Sequence, residues 1–473
     1  MKRRNFLKTT LTIGGMSALA TFPATAFQTQ TQKLTVTGTN IGAKDFFLSF
    51  WGSPHPTLDS YKEIVECGFN IATGSASDSN GCPDSDFGKQ QLKLAEEVGL
   101  KFVLRDPRIC VDLPDGKSCL YGKPCENLSN NNWQQVVQQV IDDYSSYSSL
   151  YGYFLDDDFN NQLAKFDNLA KLVQEFRTRD PKHISYTNLF PNFASETQLG
   201  TPDYDEYVKK FVEIVKPPLI SFDFYALLQA KNCEEQSYSN SCNRQGYFPN
   251  LNTIRKYAVE SNTPFCSIIL STPHFDYRDP TPAEIRWQVY TSLAYGSRGI
   301  IYFTYATYIR SPEWPTNHNL DNAHNGILDR YGYRTSKFDA VRNINLGLQK
   351  LIPYLVKLTS LNVYQVYRDK QLSQFGIPDF PSTGGSIITR ITGGEFLLGE
   401  FKDSENNGWL MIVNLDYNNS AQAVISLKDI QANRIRYVSR TTGQLTKFPE
   451  QLTPDKVLYT WLAPGDGKLL RVV

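Results

Sequence analysis

Tyr151-Gly152-Tyr153-Phe154-Leu155-Asp156-Asp157-Asp158 is the stretch on which the reading of this chain turns. Its first half is apolar and aromatic and predicts a buried strand. Its second half sets three carboxylates at the strand's exit, which costs folding energy unless water, partners or a ligand meets them. In parallel α/β proteins the strand exits are where ligands and chemistry gather.

Outward from this stretch the same grammar repeats. Strands are predicted at Phe46–Trp51, Asn70–Thr73, Phe102–Asp106, Tyr151–Asp156, Ile184–Leu189, Leu219–Tyr225, Phe265–Leu270 and Gly299–Tyr305. Between them, apolar residues at spacings of three and four predict helices. These are Ser60–Cys67, Gln90–Val98, Trp133–Tyr144, Leu163–Phe176, Tyr204–Val215, Leu251–Val259 and Ala283–Ala294, with Phe338–Leu358 closing the series. Regular alternation implies right-handed crossovers and a parallel sheet. Eight such units over 45–358 suit a closed (β/α)8 TIM barrel; an open doubly wound sheet is the alternative. No Gly-x-Gly-x-x-Gly follows a strand, which argues against a nucleotide site.

Beyond Leu358 helix signals stop. Short strands separated by polar turns are predicted at Asn362–Tyr367, Ser386–Ile391, Glu395–Phe401, Trp409–Leu415, Ala421–Leu427, Ile435–Ser439 and Lys468–Val472. Asn406-Asn407-Gly408 and Thr441-Thr442-Gly443 are turn signals. Residues 359–473 are therefore expected to form a small all-β sandwich.

The N-terminus has the three parts of an export signal: Met1 to Lys8 is basic, Leu11 to Phe22 apolar, and Ala24-Thr25-Ala26 small. Arg3-Arg4 before Phe6-Leu7-Lys8 resembles a twin-arginine signal; an ordinary secretory signal is the alternative. Residues 1–26 are set aside as this signal and 27–44 as a linker, and the mature protein is expected in the periplasm or secreted. The apolar run is too short to span a bilayer comfortably. Eight cysteines fit an oxidising compartment. Cys233 and Cys242 could close one loop, and Cys82, Cys110, Cys119 and Cys125 could form two further disulfides; Cys67 and Cys266, in apolar surroundings, are expected as buried free thiols. With five His and no pair at zinc spacing, no metal or cofactor is expected. Lys+Arg and Asp+Glu both number 48, which argues against nucleic acid as a partner. Aromatics are 13% of the chain, enough for a large core or for rings that stack on sugars.

The polar residues at the predicted exits are the candidate site. In Ser221-Phe222-Asp223-Phe224-Tyr225, period two puts Ser221, Asp223 and Tyr225 on one face, aimed into the barrel mouth. On the fourth strand Asp156 and Asp158 share a face and Asp157 takes the other; Asp156 is the expected bystander, able to cap the following helix. Two carboxylates in unlike environments can divide acid and base work, and cleavage of a glycosidic bond needs such a pair. Asp158, with Asp157 as fallback, is assigned the acid and Asp223 the nucleophile or base. Trp51, Tyr225 and Tyr305 are expected as sugar platforms. Asn188 and His274 are expected to bind hydroxyls, and His55 and Asp106 to belong to the substrate-binding set.

Several stretches resemble a group of exported bacterial (β/α)8-barrel glycoside hydrolases, close in outline to the β-galactosidase-like barrels with a C-terminal β-sandwich. They are Gly152 to Asp158, Tyr186-Thr187-Asn188-Leu189-Phe190-Pro191, Ser221 to Tyr225, Leu293 to Tyr305, and Pro464 to Arg471. The resemblance implies an exported hydrolase acting on an oligo- or polysaccharide. That group ends its fourth strand Asp-Glu-Pro, with the glutamate as acid/base, where this chain has Asp157, Asp158 and Phe159. A related class carries a glutamate after the seventh strand, and Ser267 to Thr272 offers none. A second related class pairs acids on the fourth and sixth strands, which matches Asp158 and Asp223. These departures motivate the alternative of a catalytically inactive barrel that binds glycans or cell-surface polysaccharide; a barrel enzyme of another class, such as a lyase, is a third reading.

Overall fold

The computed structural model describes residues 46–78, 81–109, 133–157, 164–232, 235–236, 242–307, 323–366, 380–381, 384–385, 387–427, 435–448 and 457–472. The expected signal and linker, Asp158, and the cysteines Cys110, Cys119, Cys125 and Cys233 lie outside them. Cys67 and Cys266 are buried free thiols.

Eight parallel strands form the barrel. They are β1 (Phe47–Trp51), β2 (Ile71–Ser75), β3 (Lys101–Arg105), β4 (Leu150–Phe154), β5 (Ile184–Tyr186, resuming at Asn188–Leu189), β6 (Ile220–Asp223), β7 (Phe265–Leu270) and β8 (Gly299–Phe303). Helices α1 (Leu58–Glu66), α2 (Ser85–Val98), α3 (Trp133–Tyr144), α4 (Ala164–Arg179), α5 (Tyr204–Val215), α6 (Tyr247–Ser261), α7 (Pro282–Ala294) and α8 (Ser336–Leu355) alternate with them. A single turn, Glu196–Leu199, was not expected. Several helices begin where a side chain satisfies one of the first free N–H groups. Asp84 accepts from Phe87, which starts α2 five residues before its expected beginning. Thr281 and Glu284 form a capping box ahead of α7.

Strand alternation sorts the barrel into two layers. Phe47, Ile71, Val103, Tyr151, Ile184, Leu219, Cys266, Ile268 and Ile301 fill the interior. Leu48, Phe50, Phe102, Leu104, Tyr153 and Phe222 face the helices. Branched and aromatic side chains leave no pore, so a ligand meets the barrel at its mouth.

The cylinder is joined from two sheets. One runs β2–β3–β4 and ends on the first piece of β5. The other runs β1–β8–β7–β6 and ends on the second piece. β5 is thus one joint, interrupted at Thr187, whose hydroxyl donates to the Asp156 carbonyl at 2.6 Å. At the opposite seam, between β1 and β2, side chains replace most of a ladder. Asn70 accepts from Leu48 N–H on Oδ1 (3.0 Å) and donates from Nδ2 to the Phe46 carbonyl (2.9 Å). Its own N–H reaches the Leu48 carbonyl at 3.2 Å, and Thr73 donates to the Phe50 carbonyl at 2.7 Å.

The C-terminal part is a two-layer antiparallel sandwich. Its strands are β9 (Thr359–Val366), β10 (Ile388–Thr392), β11 (Phe396–Lys402), β12 (Gly408–Asn414), β13 (Ala421–Leu427), β14 (Ile435–Val438), β15 (Leu445–Lys447), β16 (Val457–Leu462) and β17 (Gly467–Val472). β15 and β16 were not expected. Six strands pair in the order β9–β11–β12–β17–β14–β15 and three as β10–β13–β16. Leu398, Leu410, Ile412 and Leu470 pack between the sheets. On the other face of the larger sheet, Leu397, Phe401, Trp409, Met411 and Leu469 join the barrel's outer core. Covered on both faces, β11 and β12 read as continuous apolar runs rather than alternating ones.

The partner on that second face is α7, buried along nearly its whole length, with Ile285, Trp287, Tyr290, Leu293 and Ala294 all covered. Close approach is possible because β11 carries Gly399; a Cβ there would lie 2.1 Å from the Ala294 carbonyl oxygen. Arg440 completes the join by a two-pronged pair with Asp466 (2.6 and 2.7 Å) and a bond to the Tyr290 hydroxyl at 2.8 Å. Barrel and sandwich are parts of one compact unit. No helix among the described residues is long and apolar enough to cross a membrane.

Candidate active site

Carboxylates from two strand exits meet at the barrel mouth. Asp223 ends β6, on the inward face with Leu219 and Ser221. It receives the Asn188 amide, Nδ2 to Oδ1, at 2.9 Å. Asn188 in turn accepts the Ser221 hydroxyl on its own Oδ1 at 3.0 Å. Burial first, and the charge of Asp157 second, push the Asp223 carboxyl up to about 7, with the Asn188 hydrogen bond pulling the other way. Among the described residues no Lys or Arg forms an ion pair with Asp223.

The β4 exit is built differently from its sequence reading. β3 pairs Phe102 with Leu150 and then Val103 with Gly152, so Tyr151 is an extra residue in the ladder. This bulge turns the strand, and Gly152 fits because a Cβ there would lie 2.4 Å from the Ile184 carbonyl oxygen. Beyond it Phe154 points inward with the interior core. Asp156 follows at the mouth: its carboxylate accepts the Asp157 N–H at 2.9 Å and lies 3.7 Å from the Arg105 guanidinium. Burial pushes the Asp156 carboxyl up to about 6, against the opposing pull of Arg105. The expected bystander thus belongs to the site. Asp157 is half-buried beside it, and its charge reaches both Asp223 and Tyr186.

Arg105 was passed over in favour of its neighbour. Period two from Val103 brings Arg105 into the mouth, 5.8 Å from the Phe154 ring centre. It places Asp106 with Phe102 and Leu104 on the helix-facing side. There Asp106 is 4% exposed and is held by Arg108 (2.7 and 3.0 Å) and the Tyr144 hydroxyl (2.8 Å). Asp106 is a structural ion-pair residue and has no face toward a substrate.

The expected sugar platforms divide. Trp51 is half-buried at the end of β1, edge-on to Phe154 at 5.0 Å. Tyr225 is half-buried just past β6, its ring beside His274 and Tyr277 (both 5.2 Å) and Phe303 (5.3 Å). Both border the mouth. Tyr305 does not: it is 0% exposed, packed on Phe50 and Phe69 toward the helices. Enclosed in the helix-facing core, Tyr305 has no free ring face to offer a sugar.

The other expected substrate-binding residues divide as well. His55 is exposed in the loop after β1, its carbonyl accepting the Ser60 hydroxyl at 2.8 Å. His274 is 2% exposed, with Nδ1 2.8 Å from the Thr272 carbonyl oxygen, and burial pushes it down to about 4. At neutral pH it is uncharged and Nδ1 is the donor. Asn188 is 2% exposed, and both ends of its amide are committed to protein partners. It serves Asp223 rather than a ligand.

The chain matches no protein-family model and no curated protein. Its fold does recur among solved structures. A family 42 β-galactosidase from G. stearothermophilus superposes with a TM-score of 0.54 at 8% identity, over 92% of this chain and 99% of that one. A family 39 glycoside hydrolase from the gut symbiont Bacteroides cellulosilyticus gives 0.50 at 11%, over 91% and 81%. A β-galactosidase from the psychrophilic Marinomonas ef1 is matched over 67% of this chain at 10% identity and a TM-score of 0.47; the chain spans 62% of that enzyme. At these identities the likeness is one of fold: a TIM barrel with an attached β-domain, as in glycoside hydrolases.

Proposed function

We propose that this protein is an exported glycoside hydrolase that cleaves O-glycosidic bonds of an oligo- or polysaccharide at the barrel mouth. One observation carries the reading. Asp157 and Asp223, from the exits of different strands, feel each other's charge, and one of them keeps a proton up to about 7. Glycosidic cleavage requires that division: a protonated carboxyl for the leaving oxygen and an ionised one for the opposite sugar face. The fold it shares with family 39 and family 42 enzymes agrees with this.

The proton argues for exchanging the roles assigned from sequence. Asp223, the group that holds its proton, acts as acid. The β4 exit supplies the nucleophile or base, Asp157 first and its chain neighbour Asp158 second. Arg105 and Asp156 steady that exit. Trp51 and Tyr225 serve as sugar platforms, with His55, exposed in the loop after β1, as a further substrate contact.

The test is a glycan panel incubated with protein lacking residues 1–26, read by released reducing ends. Asp223→Asn and Asp157→Asn are each expected to lose ~10³-fold or more of the turnover while remaining folded. Retained turnover in both variants sinks the assignment. Glycan binding without any release identifies the chain as a binder instead.

A further inference from the structure

The two carboxylate-bearing exits belong to different sheets, β4 to one and β6 to the other. What spans the gap is a single residue at the interruption of β5. Asn188 donates its backbone N–H to the Asp156 carbonyl at 3.1 Å. Its side chain donates to Asp223 and accepts from Ser221. Asp156 in turn holds the Asp157 N–H on its carboxylate. A continuous path of hydrogen bonds thus runs from Asp157 through Asp156 and Asn188 to Asp223.

The amide is held at both ends within this path. A hydroxyl proton from Ser221, itself 0% exposed, fixes Oδ1 on one side. Nδ2 then faces Asp223, whose oxygen accepts it. Thr187, the preceding residue, ties the same Asp156 carbonyl through its hydroxyl. The break in β5 lets both residues reach across the joint.

We infer that Asn188 is a positioning residue that locks the β4 and β6 exits together and governs the protonation of Asp223. A hydrogen bond donated to a carboxylate favours its ionised form. The other titratable groups that bear on Asp223 are Asp157 from β4, Tyr204 at the start of α5 and Tyr277 after β7. Both tyrosines are pushed up by burial and stay neutral. Together with a backbone hydrogen bond at Asp223, the Asn188 amide restrains Asp223 against Asp157 and its buried setting. The inference rests on the hydrolase reading only where turnover is concerned.

The experiment follows the Asp223 carboxyl by carbon NMR as pH is varied, without substrate, in the parent and in Asn188→Leu, Asn188→Asp and Ser221→Ala. A hydrogen bond to a charged group is lost in the leucine variant, so its titration should move upward by about one to two pH units. Asn188→Asp keeps the shape but sets a carboxyl beside Asp223, and should move it further. Ser221→Ala frees the amide to rotate and should give a smaller upward shift; it supplies the reading if a larger change prevents folding. Where turnover is present, the limb of the pH–rate profile should move with the titration. A folded variant whose Asp223 titration stays in place overturns the inference. A shifted titration with no turnover on any glycan sinks the hydrolase reading and leaves this one standing.

Discussion

Asp223 holds a proton that the same side chain in the unfolded chain releases near pH 4. Between about 4 and 7 the folded state therefore binds more protons than the unfolded one, and stability falls as pH rises through that window. Asp223→Asn removes this dependence. The variant is expected to be more stable than the parent at pH 8, by on the order of 1–3 kcal/mol, and close to it at pH 4. Urea unfolding at the two pH values checks this; equal differences at both would contradict the buried proton. At this scale part of the site was legible and part was not. The alternation that aims Asp223 inward can be read from Ser221 to Tyr225. The same rule read along Lys101 to Asp106 would have chosen Arg105, since Asp106 falls in step with Phe102 and Leu104. Asp156 was not recoverable, because the extra Tyr151 in the ladder is a matter of pairing with β3, and no local pattern records it. Nor does any local signal say that Asn188 faces a carboxylate rather than a sugar.

Among the elements, α7 shows how a tertiary setting overrides local grammar. It lies between the barrel and the larger sheet of the sandwich, so both its sides are buried and its period is muted. Its start was still readable from Thr281, Pro282 and Glu284. Trp133–Tyr144, Tyr204–Val215, Phe265–Leu270 and Ala421–Leu427 end where the sequence places them, since apolar period and turn residues agree there. β4, β6 and β8 stop two residues short because their backbones leave the ladder to build the mouth. Gly399 is a point of close approach in the contact with α7. Gly399→Ala forces a methyl onto the Ala294 carbonyl, and the two elements must part. A loss of about 2–4 kcal/mol is expected, seen as a lower urea midpoint with an unchanged slope. A midpoint within error of the parent would mean that the sheet has room to move.

For the whole molecule, the sandwich is structural cover as much as an appendage. The inner faces of β11, β12 and β17 and the buried sides of α7 belong to one core. Calorimetry of the intact protein should show one cooperative transition. Ending the chain at Leu358 bares Trp287, Tyr290 and Leu293, and the shortened protein should be recovered in the insoluble fraction. A soluble barrel with its own transition would show two independent bodies. The (β/α)8 order was legible because every unit repeats the same alternation; the manner of closure was not. The chain gives eight strands, but only the folded molecule reveals two arcs, abutting at Thr187 and at Asn70. A vessel made from two staves-sets has two grain lines, and the acids stand on opposite sides of one of them. Their spacing is therefore a property of how two arcs seat against each other, as the bite of a pair of pliers is set at the rivet rather than in the jaws.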